Sequence, residues 1–61
     1  MKTSELIKIL KASGHCFFIG HGKKHDEWYS ELTGIHFYIP RHAKEMKTGT
    51  VKQILKDAGL N

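Results

Sequence analysis

The sequence has no means of forming an internal disulfide, because Cys16 is its single cysteine. That suits a reducing cytoplasm. It also lacks any apolar run approaching the roughly 20 residues that a membrane-spanning helix needs. The opening "MKTSELIKILKASG" reaches Ser4, Glu5 and Lys8 too soon for the apolar stretch of a secretory signal. These absences lead to the expectation of a cytoplasmic protein with no membrane contact. Acidic side chains are scarce too, six against ten Lys and Arg, giving a formal charge of +4 and a pI near 9.4. On so small a body a positive field covers much of the surface, and a polyanion is the natural partner. A basic, soluble surface with no ligand is the competing reading.

With 61 residues the chain has room for one domain, residues 1–61, and one modest core. A chain this short buries only roughly 60% of its unfolded surface, which places it near the lower limit for folding alone. No linker, repeat array or low-complexity segment interrupts it. The shared endings "ILKASG" and "ILKDAG" read as two amphipathic helix ends, each with a lysine near the negative pole of the helix dipole, rather than as a duplication.

Apolar periodicity predicts the elements. Over residues 3–13, Leu6, Ile7, Ile9 and Leu10 form a helical stripe, Thr3 or Ser4 can cap its start, and Gly14 stops it. Over residues 50–58, Val51, Ile54, Leu55 and Ala58 repeat the stripe, Thr50 and Gln53 have capping-box spacing, and Gly59 ends it. Between the helices lie three runs rich in aromatic or β-branched residues: "HCFFIG" (15–20), "HDEWYS" (25–30) and "GIHFYIP" (34–40). Their short connections suit hairpins, so the strands are expected to form an antiparallel meander. In the third run Ile35, Phe37 and Ile39 alternate with His36 and Tyr38, which predicts a core face and a solvent face. The expected class is α+β: helix, strand, strand, strand, helix in a two-layer sandwich whose helices cover one face of the sheet.

Chemistry concentrates in "GHGKKHDEWY", residues 20–29. Five histidines invite a metal reading, and His21 and His25 are four apart. That spacing makes a zinc site on a helix face, however, and the two glycines here argue for a loop, so no metal is expected. "GHG" followed by two lysines could present amides and ammonium groups to a phosphate. It is not a Walker sequence and no helix follows it, so it reads as a place for a nucleic-acid backbone rather than a nucleotide. For acid–base chemistry His25 is the best candidate, standing where the loop enters the second strand just after Lys23 and Lys24. An exposed histidine flanked by cations can exchange a proton near neutral pH beside a phosphate. RNA brings its own nucleophile, the 2′-OH, so cleavage needs little beyond a base and cations that stabilise the charge growing on the phosphoryl oxygens. Lys23 and Lys24 are the residues expected to hold RNA, helped by Arg41, His42 and Lys44 if the third connection lies nearby. Alternation within "HDEWY" puts His25, Glu27 and Tyr29 on one face and Asp26 and Trp28 on the other. Glu27 and Tyr29 are therefore expected to orient His25, and Trp28 is read as core rather than as a stacking platform. Each piece also has a plainer reading, as an exposed histidine, solvated lysines and a non-catalytic RNA-binding surface.

In "TSELIKILKASG", "GKKHDEWY", "IHFYIPRHAKEMKTGT" and "VKQILKDAGL", taken in that order, the chain resembles the HicA-type toxins of toxin–antitoxin pairs over essentially its whole length. The resemblance implies an α-β-β-β-α fold like that of double-stranded-RNA-binding domains. It implies a cofactor-free, metal-independent endoribonuclease that cleaves mRNA, with its histidine at His25, or at His21 under a shifted alignment of the active loop. It also implies a HicB-type antitoxin that covers this site, with oligomers arising only through the antitoxin complex.

Overall fold

A computed structural model describes all 61 residues. Helix α1 (Thr3–Ser13) leads into strands β1 (Cys16–His21), β2 (His25–Ser30) and β3 (Ile35–Pro40), and helix α2 (Thr48–Ala58) closes the chain. The sheet is antiparallel in the order β1-β2-β3, as the short connections require. Both helices lie on one face, α1 over β1 and α2 over β2 and β3. This is the expected two-layer α+β sandwich. No helix is long and apolar enough to cross a membrane.

One apolar cluster holds the layers together. Leu6 and Leu10 of α1, Trp28 of β2, Phe37 and Ile39 of β3, and Val51, Ile54 and Ala58 of α2 are all buried, joined by Cys16 and Met46. Trp28 is the largest of them, so its indole takes the centre of the sheet as the alternation predicts. Ile35 departs from the pattern: it has the right parity for the core but opens β3 at the end of the sheet, where it is 42% exposed. Ile9 similarly sits on the margin of the α1 stripe and is 40% exposed.

The helix starts also differ from expectation. The N-caps are Lys2 and Lys47, and neither helix has a side-chain cap. At α1 the reason is tertiary. The segment after β3 runs back along the N-terminus, Lys2 bridges to Glu45, and the Thr3 amide donates to the Lys44 carbonyl at 3.0 Å. A main-chain acceptor thus replaces a side-chain one. At α2 the helix begins at Thr48, so Thr50 lies inside the first turn and cannot act as a cap. The C-terminal ends follow the sequence reading, with Gly14 at φ 74° and Gly59 at φ 76°, left-handed conformations that favour glycine.

The β2–β3 turn secures the end of α2 through two hydroxyls. Thr33 Oγ1 donates to the Asp57 carbonyl at 2.5 Å, and the fully buried Ser30 Oγ donates to the Ala58 carbonyl at 2.6 Å. Ser30 Oγ also accepts from the Leu32 amide at 3.3 Å. Helix-end carbonyls have no partner within the helix, so these hydroxyls supply what the burial of α2 takes away. Replacing Ser30 with Ala leaves the Ala58 carbonyl without its partner, which is expected to cost about 1–3 kcal/mol. For a domain of this size each kcal/mol lowers the melting temperature by about 4–8 °C. Thermal unfolding followed by circular dichroism checks this, and an unchanged midpoint would count against the role given to Ser30.

Candidate active site

The β1–β2 hairpin builds the site. The Gly22 amide donates to the His25 carbonyl at 2.7 Å, and Lys23 and Lys24 form the tip of the turn. A Cβ on Gly22 would lie 2.8 Å from that same carbonyl oxygen, so the approach is open only to glycine. Arg41, just past β3, braces the hairpin from the other side. Its amide donates to the Lys24 carbonyl at 2.9 Å, and its Nη1 donates to the Gly22 carbonyl at 2.9 Å. Its Nε lies 3.5 Å from Asp26 Oδ1, which also meets His21 Nδ1 at 2.7 Å.

Strand register sorts these side chains onto two faces. Trp28 pairs with Phe18 and Phe37, Asp26 with His21 and Ile39, and Ser30 with Cys16 and Ile35. These residues share the face toward the helices, because cross-strand partners point the same way. His21 belongs to it, its ring 4.8 Å from that of Phe18. The residues between them, His25, Glu27 and Tyr29, point to the open face, where Glu27 is paired with Tyr38 and Tyr29 with His36. His21, ending β1, and His25, opening β2, thus belong by register to opposite faces of the sheet, and both border the hairpin's cavity.

A shallow cavity of about 280 Å³ opens beside the hairpin. His21, Lys23, Lys24, His25, Glu27 and Tyr38 line it, together with Gly20 and Gly22, which bring no side chain to it. A register irregularity at Ile19, where β1 runs one residue long, brings Gly20 opposite Glu27. The "GHG" element therefore supplies two positions bare of side chains and, between them, a histidine that Asp26 holds at the cavity's edge.

Charge is distributed unevenly among the histidines. His15 is held by Glu31, His21 by Asp26 and His36 by Glu27, at 2.7, 2.7 and 2.6 Å. His25 and His42 have no such partner, and no carboxylate pairs with Lys23 or Lys24. Glu27 and Tyr29 share the His25 face as expected, but they do not orient it. The Glu27 carboxylate is committed to His36, and the Tyr29 ring lies 4.9 Å from that same imidazole. Sheet twist closes this diagonal across to β3 in preference to a contact along β2.

Of the residues expected to hold RNA, Lys23 and Lys24 stand with His25. Arg41 is engaged as the hairpin brace and also borders a second cavity, of about 610 Å³, together with Lys44, Lys2 and the start of α1. His42 lines neither cavity. No group of three His, Cys, Asp or Glu side chains is placed to hold a metal ion. Two features escaped the sequence reading. The Asp26–Arg41 pair depends on how the third connection folds back, and the place of Tyr38 beside His25 depends on a register that alternation alone does not fix.

A family model described as the HicA toxin of bacterial toxin–antitoxin systems matches residues 3–60, almost the entire chain. The chain belongs to this toxin family, and membership implies an antitoxin partner. No curated protein and no solved structure matches it.

The two glycines of the cavity make a paired prediction. Gly22→Ala forces its new methyl against a backbone oxygen, so the amide resonances of residues 22–26 are expected to shift and the protein to lose stability. Gly20→Ala meets nothing within 4 Å, and its spectrum is expected to change only at the substituted position. Equal perturbation by both would contradict the geometry given for the hairpin.

Proposed function

We propose that this toxin is a metal-independent endoribonuclease that cleaves mRNA and so inhibits translation and growth, with the single domain 1–61 carrying the whole activity. The observation that carries the proposal is the state of His25: an exposed imidazole with no carboxylate partner, opening onto a cavity beside two unpaired lysines. RNA lies with a phosphate against Lys23 and Lys24, while Arg41, His42 and Lys44 extend the basic surface beyond the hairpin. His25 takes the proton of the 2′-OH. The 2′-oxygen then bonds to phosphorus, the bond from phosphorus to the 5′-oxygen breaks, and that oxygen receives a proton from the solvent or from the imidazolium just formed. The lysines stabilise the charge that grows on the non-bridging oxygens. The chemistry needs no metal because the nucleophile belongs to the substrate.

His21 is a poorer candidate for the same role. Although it borders the same cavity, Asp26 holds its Nδ1 and its ring lies against Phe18. Its part in the proposal is to keep Asp26 and Arg41 in place behind the hairpin.

Neutralisation follows from the same surface. A HicB-type antitoxin with an acidic face can pair with Lys23 and Lys24 and cover His25 in one docking, and it also offsets the small core of the free toxin.

His25→Ala is expected to lower cleavage of a labelled single-stranded RNA by about 10²–10⁴-fold, the usual worth of a general acid–base group, while affinity for the strand persists. Gel analysis of cleavage and fluorescence anisotropy of binding check the two halves separately. Cleavage that survives the substitution moves the catalytic role to another group. Binding without cleavage by the parent chain points instead to a non-catalytic RNA-binding module.

A further inference from the structure

We propose that Tyr38 is the platform on which the toxin stacks one base of a single-stranded RNA, holding that nucleotide beside His25. The inference rests on the ribonuclease reading of the cavity and goes beyond it, by assigning the open face of the sheet to a substrate base.

The geometry comes from β-sheet register. Glu27 is paired with Tyr38, yet its carboxylate reaches diagonally to His36, two residues earlier on β3, at 2.6 Å. The twist of the sheet closes that diagonal. His25 is paired with Pro40, and the same step of two residues leads to Tyr38. His25 and Tyr38 are therefore diagonal neighbours on one face, in the relation that already brings Glu27 and His36 into contact, and both line the same cavity.

Tyr38 is also the aromatic side chain of the sheet left free for this role. Trp28 is buried, 3% exposed, and belongs to the core. Phe18 packs against His21 and Trp28, and the Tyr29 ring is taken by His36. Tyr38 belongs to none of these pairs and is 56% exposed, the highest exposure among the large hydrophobic side chains. Phe17 is exposed as well, but it pairs with Tyr29, farther along the sheet from the hairpin tip.

The occupant follows from what surrounds the ring. Lys23 and Lys24 lack carboxylate partners, and Gly20 and Gly22 add no side chain to the cavity that the ring borders. The acidic residue of the cavity, Glu27, is bonded to His36. Cations for a phosphate, an imidazole for a sugar hydroxyl and an aromatic face for a base thus occur in sequence, in the order in which one nucleotide presents those groups. Stacking of this kind accepts any base and requires an unpaired strand, because a base within a duplex has no free face.

The test is a double-mutant cycle on binding, measured with the His25→Ala protein so that the RNA stays intact. Tyr38→Ala is expected to weaken affinity for a short single-stranded RNA by about ten- to a hundredfold, and Tyr38→Phe to preserve it, since stacking uses the ring. An abasic nucleotide scanned along the RNA is expected to weaken binding most at one position. There its effect and that of Tyr38→Ala do not add, because both remove the same contact. Unchanged affinity for Tyr38→Ala overturns the proposal, as does full additivity at every scanned position. If Tyr38→Ala weakens only the complex with the antitoxin, the face is a protein-docking surface and the stacking role falls. Failure of the parent chain to bind RNA at all overturns the ribonuclease reading together with this one. Strong binding that is indifferent to Tyr38 overturns the stacking alone. Circular dichroism of each variant confirms that the sheet is intact, as expected for a ring this exposed.

Discussion

Burial of Trp28 beneath the two helices decides which way His25 points. In β2 every second side chain faces the core, so a slip of one residue would send His25 under the helices and Trp28 into water. Three different interactions oppose that slip along six residues of strand. Asp26 is tied to His21 and Arg41, Trp28 fills the centre of the core, and Ser30 bonds the end of α2. The inward set is locked by charge, by packing and by a hydrogen bond, and of the outward set Glu27 and Tyr29 turn to His36 while His25 is left without a carboxylate partner.

This division of labour suits a chain with so little interior. With 12 of 61 residues buried, the fold cannot spend core volume on a deep pocket, and the site is a surface feature held in place by backbone contacts. Gly22 brings β1 close to the His25 carbonyl, and Arg41 fastens the tip from behind, so a short hairpin gains the rigidity that a larger protein takes from its core. The cost is an open sheet face with aromatic side chains in solvent. Membership of a toxin–antitoxin family gives that exposure a context, since it implies an antitoxin partner.

Much of this was legible in the sequence because it depends on local periodicity. Alternation in "HDEWYS" placed Trp28 inside and His25 outside, and Gly14 and Gly59 marked where the helices stop. The helix starts were misread because capping rules assume a local side-chain partner, whereas α1 takes its acceptor from Lys44, far along the chain. Arg41 read as a free cation, since its partners Gly22 and Asp26 appear only once the third connection folds back. Glu27 read as an orienter of His25 because both share a strand face, but the diagonal contact to His36 depends on twist and register. The same unreadable diagonal hid Tyr38, which in the sequence is simply one more outward residue of β3.

The central claim is that the 2′-hydroxyl of the substrate is the nucleophile. It is tested most directly with antitoxin-free toxin in excess EDTA, by comparing an RNA that it cleaves with the same strand carrying one 2′-deoxynucleotide on the 5′ side of the cleaved bond. The account predicts that the parent strand is cut to leave a 2′,3′-cyclic phosphate, and that the single deoxy substitution abolishes cleavage at that bond. Continued cleavage there, leaving a 5′-phosphate on the downstream fragment, would mean that water attacks the phosphorus and would contradict the account.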